Sequence, residues 1–187
     1  MASPNEAASD IFLPSGGLCL DRVNDSAQGV LHESLRLARD TRWDSVRSPH
    51  VFMGLLAAPD PCVHDWGERL GADLPMLLDQ FRELFQQEGT CDSAGVLLNR
   101  EFLSDNVIRL LRDATARAAE HGRKRITPMD LLISILTAPN SIVAECFERI
   151  GVTAAKLTEL AVIAEFRGPD PADPQPSSLT RDKGAQQ

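Results

Sequence analysis

Residues Val107–Ala161 read VIRLLRDATARAAEHGRKRITPMDLLISILTAPNSIVAECFERIGVTAAKLTELA. Slid back by 80 residues, they lie without a gap on Ala27–Phe81, AQGVLHESLRLARDTRWDSVRSPHVFMGLLAAPDPCVHDWGERLGADLPMLLDQF. Ten of the 55 pairs are identical, among them Leu31/Leu111, Ala38/Ala118, Pro59/Pro139, Val63/Val143, Gly71/Gly151 and Leu77/Leu157. The register also keeps Val46/Ile126, Val51/Leu131, Leu55/Ile135 and Leu70/Ile150 apolar in both copies. A unit repeated at fixed spacing is usually one supersecondary element that needs its neighbour to cover its apolar face. The chain is a tandem duplication.

Within each copy the period is helical. From Ser26, a fair N-cap, Val30, Leu31, Ser34, Leu35 and Ala38 share one face, and Trp43-Asp44-Ser45 closes the helix. Ser48-Pro49 combines a capping hydroxyl with Pro at the first helical position, and the apolar run Val51–Ala58 behind it predicts a buried central helix. Pro59-Asp60-Pro61 stops that helix, and Cys62–Leu70 makes a third, ended by Gly71 at C′. Asp73 caps a fourth that runs to about Gln87 with Leu74, Leu77, Leu78, Phe81, Leu84 and Phe85 inward. In the second copy Ser104 caps a helix carrying Val107, Ile108, Leu111, Ala114, Thr115 and Ala118, ended by His121-Gly122. Thr127-Pro128 opens the apolar Leu131–Leu136, and Ser141–Ile150 and Thr153–Glu165 complete the set around Gly151.

No segment has the two-residue period of a strand. The expected fold is all-α, with eight helices as two pseudo-twofold-related four-helix repeats over residues 21–87 and 103–166, joined by a linker at 88–102. Residues 1–20 mix Pro, Gly and small polar residues and predict a mobile arm whose Ile11-Phe12-Leu13 could dock on the body. Residues 167–187, with Pro169, Pro171, Pro174 and Pro176, predict a disordered, solvated tail.

Composition bounds the function. Nineteen basic against 27 acidic residues, a net charge of −8, argue against a nucleic-acid or anionic-membrane surface. With no Tyr and two Trp, stacking platforms for single strands are not expected. Cys19, Cys62, Cys91 and Cys146 have no C-x-x-C spacing, and the chain shows neither a signal-length apolar start nor a run long enough to span a membrane. The expectation is a soluble cytoplasmic protein with free thiols.

This pattern resembles the N-terminal double-repeat domain, or Clp R domain, of the Clp ATPase unfoldases. In the first copy the resemblance rests on Ala27-Gln28-x-Val30-Leu31, Ala38, Val46, His50-Val51-Phe52-Met53-Gly54-Leu55 and Leu70-Gly71. In the second it rests on Leu110-Leu111, Ala114, Ala118, Gly122, Ile126, Leu131–Leu136 and Ile150-Gly151, and it covers residues 22–165 in all. The resemblance implies a substrate- and adaptor-binding module. The family's ATPase modules are expected to be missing, because no G-x-x-x-x-G-K-[ST] phosphate loop exists and Lys124, Lys156 and Lys183 never follow a Gly. Where the family has Glu-His, this chain has Pro49-His50 and Met129-Asp130. In some members those Glu residues are associated with recognising phosphorylated arginine. A guanidinium needs paired carboxylate acceptors, so that ligand is not carried over.

The residues point to binding rather than catalysis. There is no G-x-S-x-G elbow, the other histidines lie on separate helices, and Cys62 and His64 lack a second ligand pair. No metal or cofactor is expected. A groove must form where the copies meet, and the starts of the two central helices should face related positions near it. These starts are Ser48, Pro49 and His50, and Thr127, Pro128, Met129 and Asp130. Free N–H groups and helix dipoles there favour anionic or hydrogen-bond-accepting ligands. His50 itself reads as a capping or core residue. Trp43 is either a staple or an exposed anchor, and Arg123, Lys124 and Arg125 form a basic loop, solvated or in contact with an acidic partner. The expected function is a non-catalytic protein- or peptide-binding module, an adaptor, regulator or competitor in Clp-dependent proteolysis. Its partner would be a Clp ATPase, its peptidase, an adaptor or a client. The alternative is a stand-alone scaffold or sensor, unrelated to proteolysis, that binds another protein or a small apolar ligand in the groove.

Overall fold

The computed structural model describes residues 10–89 and 95–167. Among these the regular structure is helical, with eight α-helices. The first copy holds α1 (Asp25–Asp40), α2 (Ser48–Ala57), α3 (Pro61–Leu70) and α4 (Leu74–Phe85). The second holds α5 (Asp105–Glu120), α6 (Pro128–Thr137), α7 (Ile142–Glu148) and α8 (Ala154–Arg167).

Side-chain caps set most of the starts. Asp60, Asp73, Ser104 and Ser141 each accept from the backbone N–H three residues on. The cap of α1 is Asn24, accepting from the Ala27 N–H at 2.8 Å, rather than the expected Ser26. Asn24 is the position equivalent to Ser104, so both copies cap this helix at one place. At α2 the N-cap is Arg47 rather than Ser48, which places it level with Thr127.

The central helices α2 and α6 are buried on nearly every face. One inward expectation fails: Leu84 stands 61% exposed, because α4 turns that face to solvent.

Two short backbone pairings tie the copies reciprocally. The Asn24 N–H donates to Ile126 O at 3.0 Å and the Ile126 N–H to Arg22 O at 2.8 Å. Eighty residues on, the Ser104 N–H donates to Val46 O at 3.0 Å and the Val46 N–H to Phe102 O at 2.8 Å. Each repeat gives the same segment and receives the same segment, the signature of a twofold relation.

Of the expected arm, residues 1–9 lie outside the described residues, and from Asp10 the chain is packed. Ile11 and Phe12 are buried, and Asp10 pairs with Arg112 of α5 at 3.0 Å. Buried Leu18 and the hydrogen bonds from the Cys19 N–H to Ile11 O and from the Arg100 N–H to Gly16 O help seat this short stretch. The expected tail lies outside the described residues beyond Arg167.

The core is asymmetric in its aromatics. Phe52, Trp66 and Phe81 of the first copy meet Phe147 of the second, with the Phe52 ring 4.8–6.2 Å from the other three. Trp66 is fully buried, and its Nε1–H donates to Leu157 O of α8 at 3.1 Å.

Gly71 and Gly151 end α3 and α7 with φ of +71° and +87° and open space where a Cβ would stand. Conformation, not crowding, demands glycine there. Gly71→Val and Gly151→Val should each cost about 1–2 kcal/mol, a fall in Tm of roughly 2–8 °C by thermal unfolding. Unchanged melting in both variants would refute the cap assignment.

Candidate functional site

The two central helices begin with the same geometry and different chemistry. At the start of α2, His50 Nδ1 accepts from the Arg47 N–H at 2.9 Å, and His50 Nε2 faces Thr41 Oγ1 at 3.2 Å. At the start of α6, Asp130 takes the same role and accepts from the Thr127 N–H at 2.8 Å. The Thr41 hydroxyl donates to Leu37 O at 2.6 Å, so the His50 Nε2–H is the donor in their contact.

Around each start the equivalent positions have been exchanged. In the first copy Trp43 donates through Nε1–H to Phe85 O at 2.6 Å and stands edge-on to His50, 5.6 Å between centroids. Arg47 lies over the Trp43 ring at 4.5 Å. In the second copy the places of Leu37, Trp43, His50 and Phe85 are taken by Arg117, Arg123, Asp130 and Glu165. These four form one ion network. Arg117 reaches Asp130 at 2.6 Å and Glu165 at 2.9 Å, while Arg123 pairs with Asp130 through both nitrogens. An aromatic cluster thus faces an ionic one across the pseudo-twofold.

A groove of about 370 Å³ opens between the copies. The first copy contributes Trp43, Arg47, Ser48, Pro49, His50 and Phe85. The second contributes the outer face of α5, with Asn106, Arg109, Leu110 and Asp113, and the turn from α6 into α7, with Ile135, Asn140 and Ile142. The floor is apolar and the rim polar and charged, the make-up of a small-ligand or peptide side-chain pocket.

The sequence-predicted residues therefore fall in two places. Ser48, Pro49, His50 and Trp43 line this groove. Thr127, Pro128, Met129 and Asp130 do not. Met129 and Asp130 are buried, and the Asp130 carboxylate is consumed by Arg117, Arg123 and Thr127. Of the basic loop, Lys124 and Arg125 are exposed, while Arg123 is turned inward onto Asp130. Sequence reading missed the groove's second wall, Asn106, Arg109 and Ile142. It also missed the joint exchange of four equivalent positions, which the 80-residue offset carries in plain view.

Among the described residues no group of His, Cys, Asp and Glu could hold a metal ion. Among these residues no single helix is long and apolar enough to cross a membrane.

Burial, with the Arg47 charge beside it, pushes the His50 imidazole down to about 4. The folded chain keeps His50 neutral, whereas the unfolded chain takes up that proton below about pH 6.5. This share of stability is complete above pH 6.5 and is lost as pH falls toward 4, by about 3 kcal/mol in total. His50→Asn, which keeps an acceptor for the Arg47 N–H, should flatten the change in denaturation midpoint between pH 7 and 4.5. An unaltered slope would show that other groups set it.

The model of the Clp repeat (R) N-terminal domain matches residues 102–183. No curated protein matches the sequence. The N-terminal domain of the chaperone ClpD from Arabidopsis thaliana shares 19% identity with a TM-score of 0.61, over 82% of this chain and 99% of that one. The Hsp104 N-terminal domain from Candida albicans shares 13% identity with a TM-score of 0.61, over 79% and 92%. A ClpV N-domain in complex with a VipB peptide shares 16% identity with a TM-score of 0.57, over 78% and 89%. The second repeat thus matches the Clp repeat (R) N-terminal domain, and the described chain as a whole has the fold of the Clp N-terminal domains.

Proposed function

We propose that this protein is a non-catalytic, cytosolic peptide-binding module that acts as an adaptor, regulator or competitor in Clp-dependent proteolysis. The observation that carries the reading is the inter-repeat groove, whose apolar floor and hydrogen-bonding rim suit a peptide side chain and its flanking backbone. That a ClpV N-domain of the same fold was solved with a VipB peptide supports it. His50, the one histidine lining the groove, is buried with both ring nitrogens engaged, which favours binding over acid–base chemistry there.

The test is co-purification of the tagged chain from its native cytosol with ATP hydrolysis blocked, alongside an Ile142→Asp variant. Ile142 lines the groove and is 44% exposed, so the variant places a charge in the floor without touching the core. Recovery of a Clp ATPase, its peptidase or an adaptor, reduced at least tenfold by Ile142→Asp, is the expected result. Recovery of an unrelated protein alone would favour the scaffold reading. Equal recovery with both forms would remove the groove from the interaction.

A further inference from the structure

The two outer clefts of the duplicated fold are not alike, and the exchange of Trp66 for Cys146 is one difference between them. Under the 80-residue offset, α3 against α8 is equivalent to α7 against α4. α3 packs along α8, and Trp66 fixes it there through the hydrogen bond to Leu157 O across the repeat boundary. The equivalent residue in α7 is Cys146, whose short thiol is a weak donor. α7 and α4 are more loosely packed, meeting through Phe147 and Phe81 at 6.2 Å between ring centroids, and the groove opens beside them, with Phe85 at one side and Ile142 at the other.

The closed side has also neutralised itself, two arginines against two carboxylates in the Arg117–Asp130–Arg123–Glu165 network. The open side has not. Of its four lining charges, Glu145 is held by Arg149 at 2.9 Å. Among the described residues, Arg47, Arg109 and Asp113 form no ion pair, which leaves two cations against one carboxylate beside an apolar floor. The groove is locally cationic in a chain of net charge −8.

We propose that each chain has one working peptide site, this groove, and that its ligand is a segment with a bulky apolar side chain beside a carboxylate. The apolar side chain seats on Pro49, Leu110 and Ile142, and the carboxylate meets Arg109 or Arg47. Arg109 is the specificity-determining residue, since it projects from α5 without the aromatic contact that occupies Arg47. The inference rests on the peptide-binding reading above.

The test is calorimetric titration of the full chain with short peptides in which a central Phe is flanked by Glu, by Gln or by Lys. One Glu-flanked peptide should bind per chain, at least tenfold tighter than the Gln-flanked one, with the Lys-flanked one weaker still. The ranking should invert in R109E, and all binding should vanish in Ile142→Asp. Two peptides per chain, or a ranking indifferent to flanking charge and to R109E, would overturn the inference and leave a peptide-binding groove. Failure of every peptide to bind would overturn the peptide reading and the inference with it.

Discussion

Replacing Trp66 with Ala should lower the unfolding free energy by about 3–5 kcal/mol, the usual cost of truncating a buried Trp. Trp66 is fully buried, edge-on to Phe52 at 6.2 Å and to Phe147 at 6.4 Å, so the substitution opens a cavity where the copies meet. It also leaves Leu157 O without the indole donor inside the protein. Leu157 lies inside α8, where its carbonyl keeps its helical partner, so the lost bond adds about 0.5–1.5 kcal/mol. Trp66→Phe separates the two contributions, because it keeps most of the apolar volume and loses only the donor. Denaturant unfolding should show a large fall in midpoint for Ala and a smaller one for Phe, with slopes unchanged. A cost below about 1 kcal/mol for Ala would mean that α3 is held to α8 by something other than Trp66.

Asp130→Ala should be nearly as damaging, at about 3–5 kcal/mol, because it strands Arg117 and Arg123 around the single carboxylate of Glu165. The network need not stabilise the fold relative to an apolar core, since the cost lies in breaking one member. The first copy supplies the comparison. The quadruple change Arg117→Leu, Arg123→Trp, Asp130→His and Glu165→Phe installs its residues at the equivalent positions and should recover most of the loss. If the quadruple variant is as unstable as Asp130→Ala, the repeats are not interchangeable at this site.

Acid unfolding supplies a second reading of Asp130. Burial pushes its carboxyl up, but hydrogen bonds from Arg123, the Thr127 N–H and Arg117 outweigh burial and hold it below the usual range. Its stabilisation is therefore present above about pH 4, the unfolded value, and lost as pH falls below it. That limb lies under the His50 limb and should vanish separately in the quadruple variant.

The duplication, the eight helices and the resemblance to the Clp R domain were all legible in the residues, because helical period, Pro and Gly placement and an 80-residue self-match are local or pairwise signals. Cap positions were legible to within a residue or two, as Asn24 for Ser26 and Arg47 for Ser48 illustrate. The groove's existence followed from the pseudo-symmetry, and Ser48, Pro49 and His50 on its first wall were named from helix starts, while Trp43 was read as a staple or an exposed anchor.

What only the tertiary structure decided is which of two equivalent clefts is open. Repeat logic treats the Ser48–His50 and Thr127–Asp130 starts alike. The difference comes from side chains that act across the repeat boundary: Trp66 reaching Leu157 while Cys146 reaches nothing comparable, and two arginines folding back on Asp130 and Glu165. A one-dimensional pattern records which residues share a helical face. Whether two helices far apart in sequence close on each other depends on the length and hydrogen-bonding capacity of the side chains between them, as where Trp66 reaches Leu157.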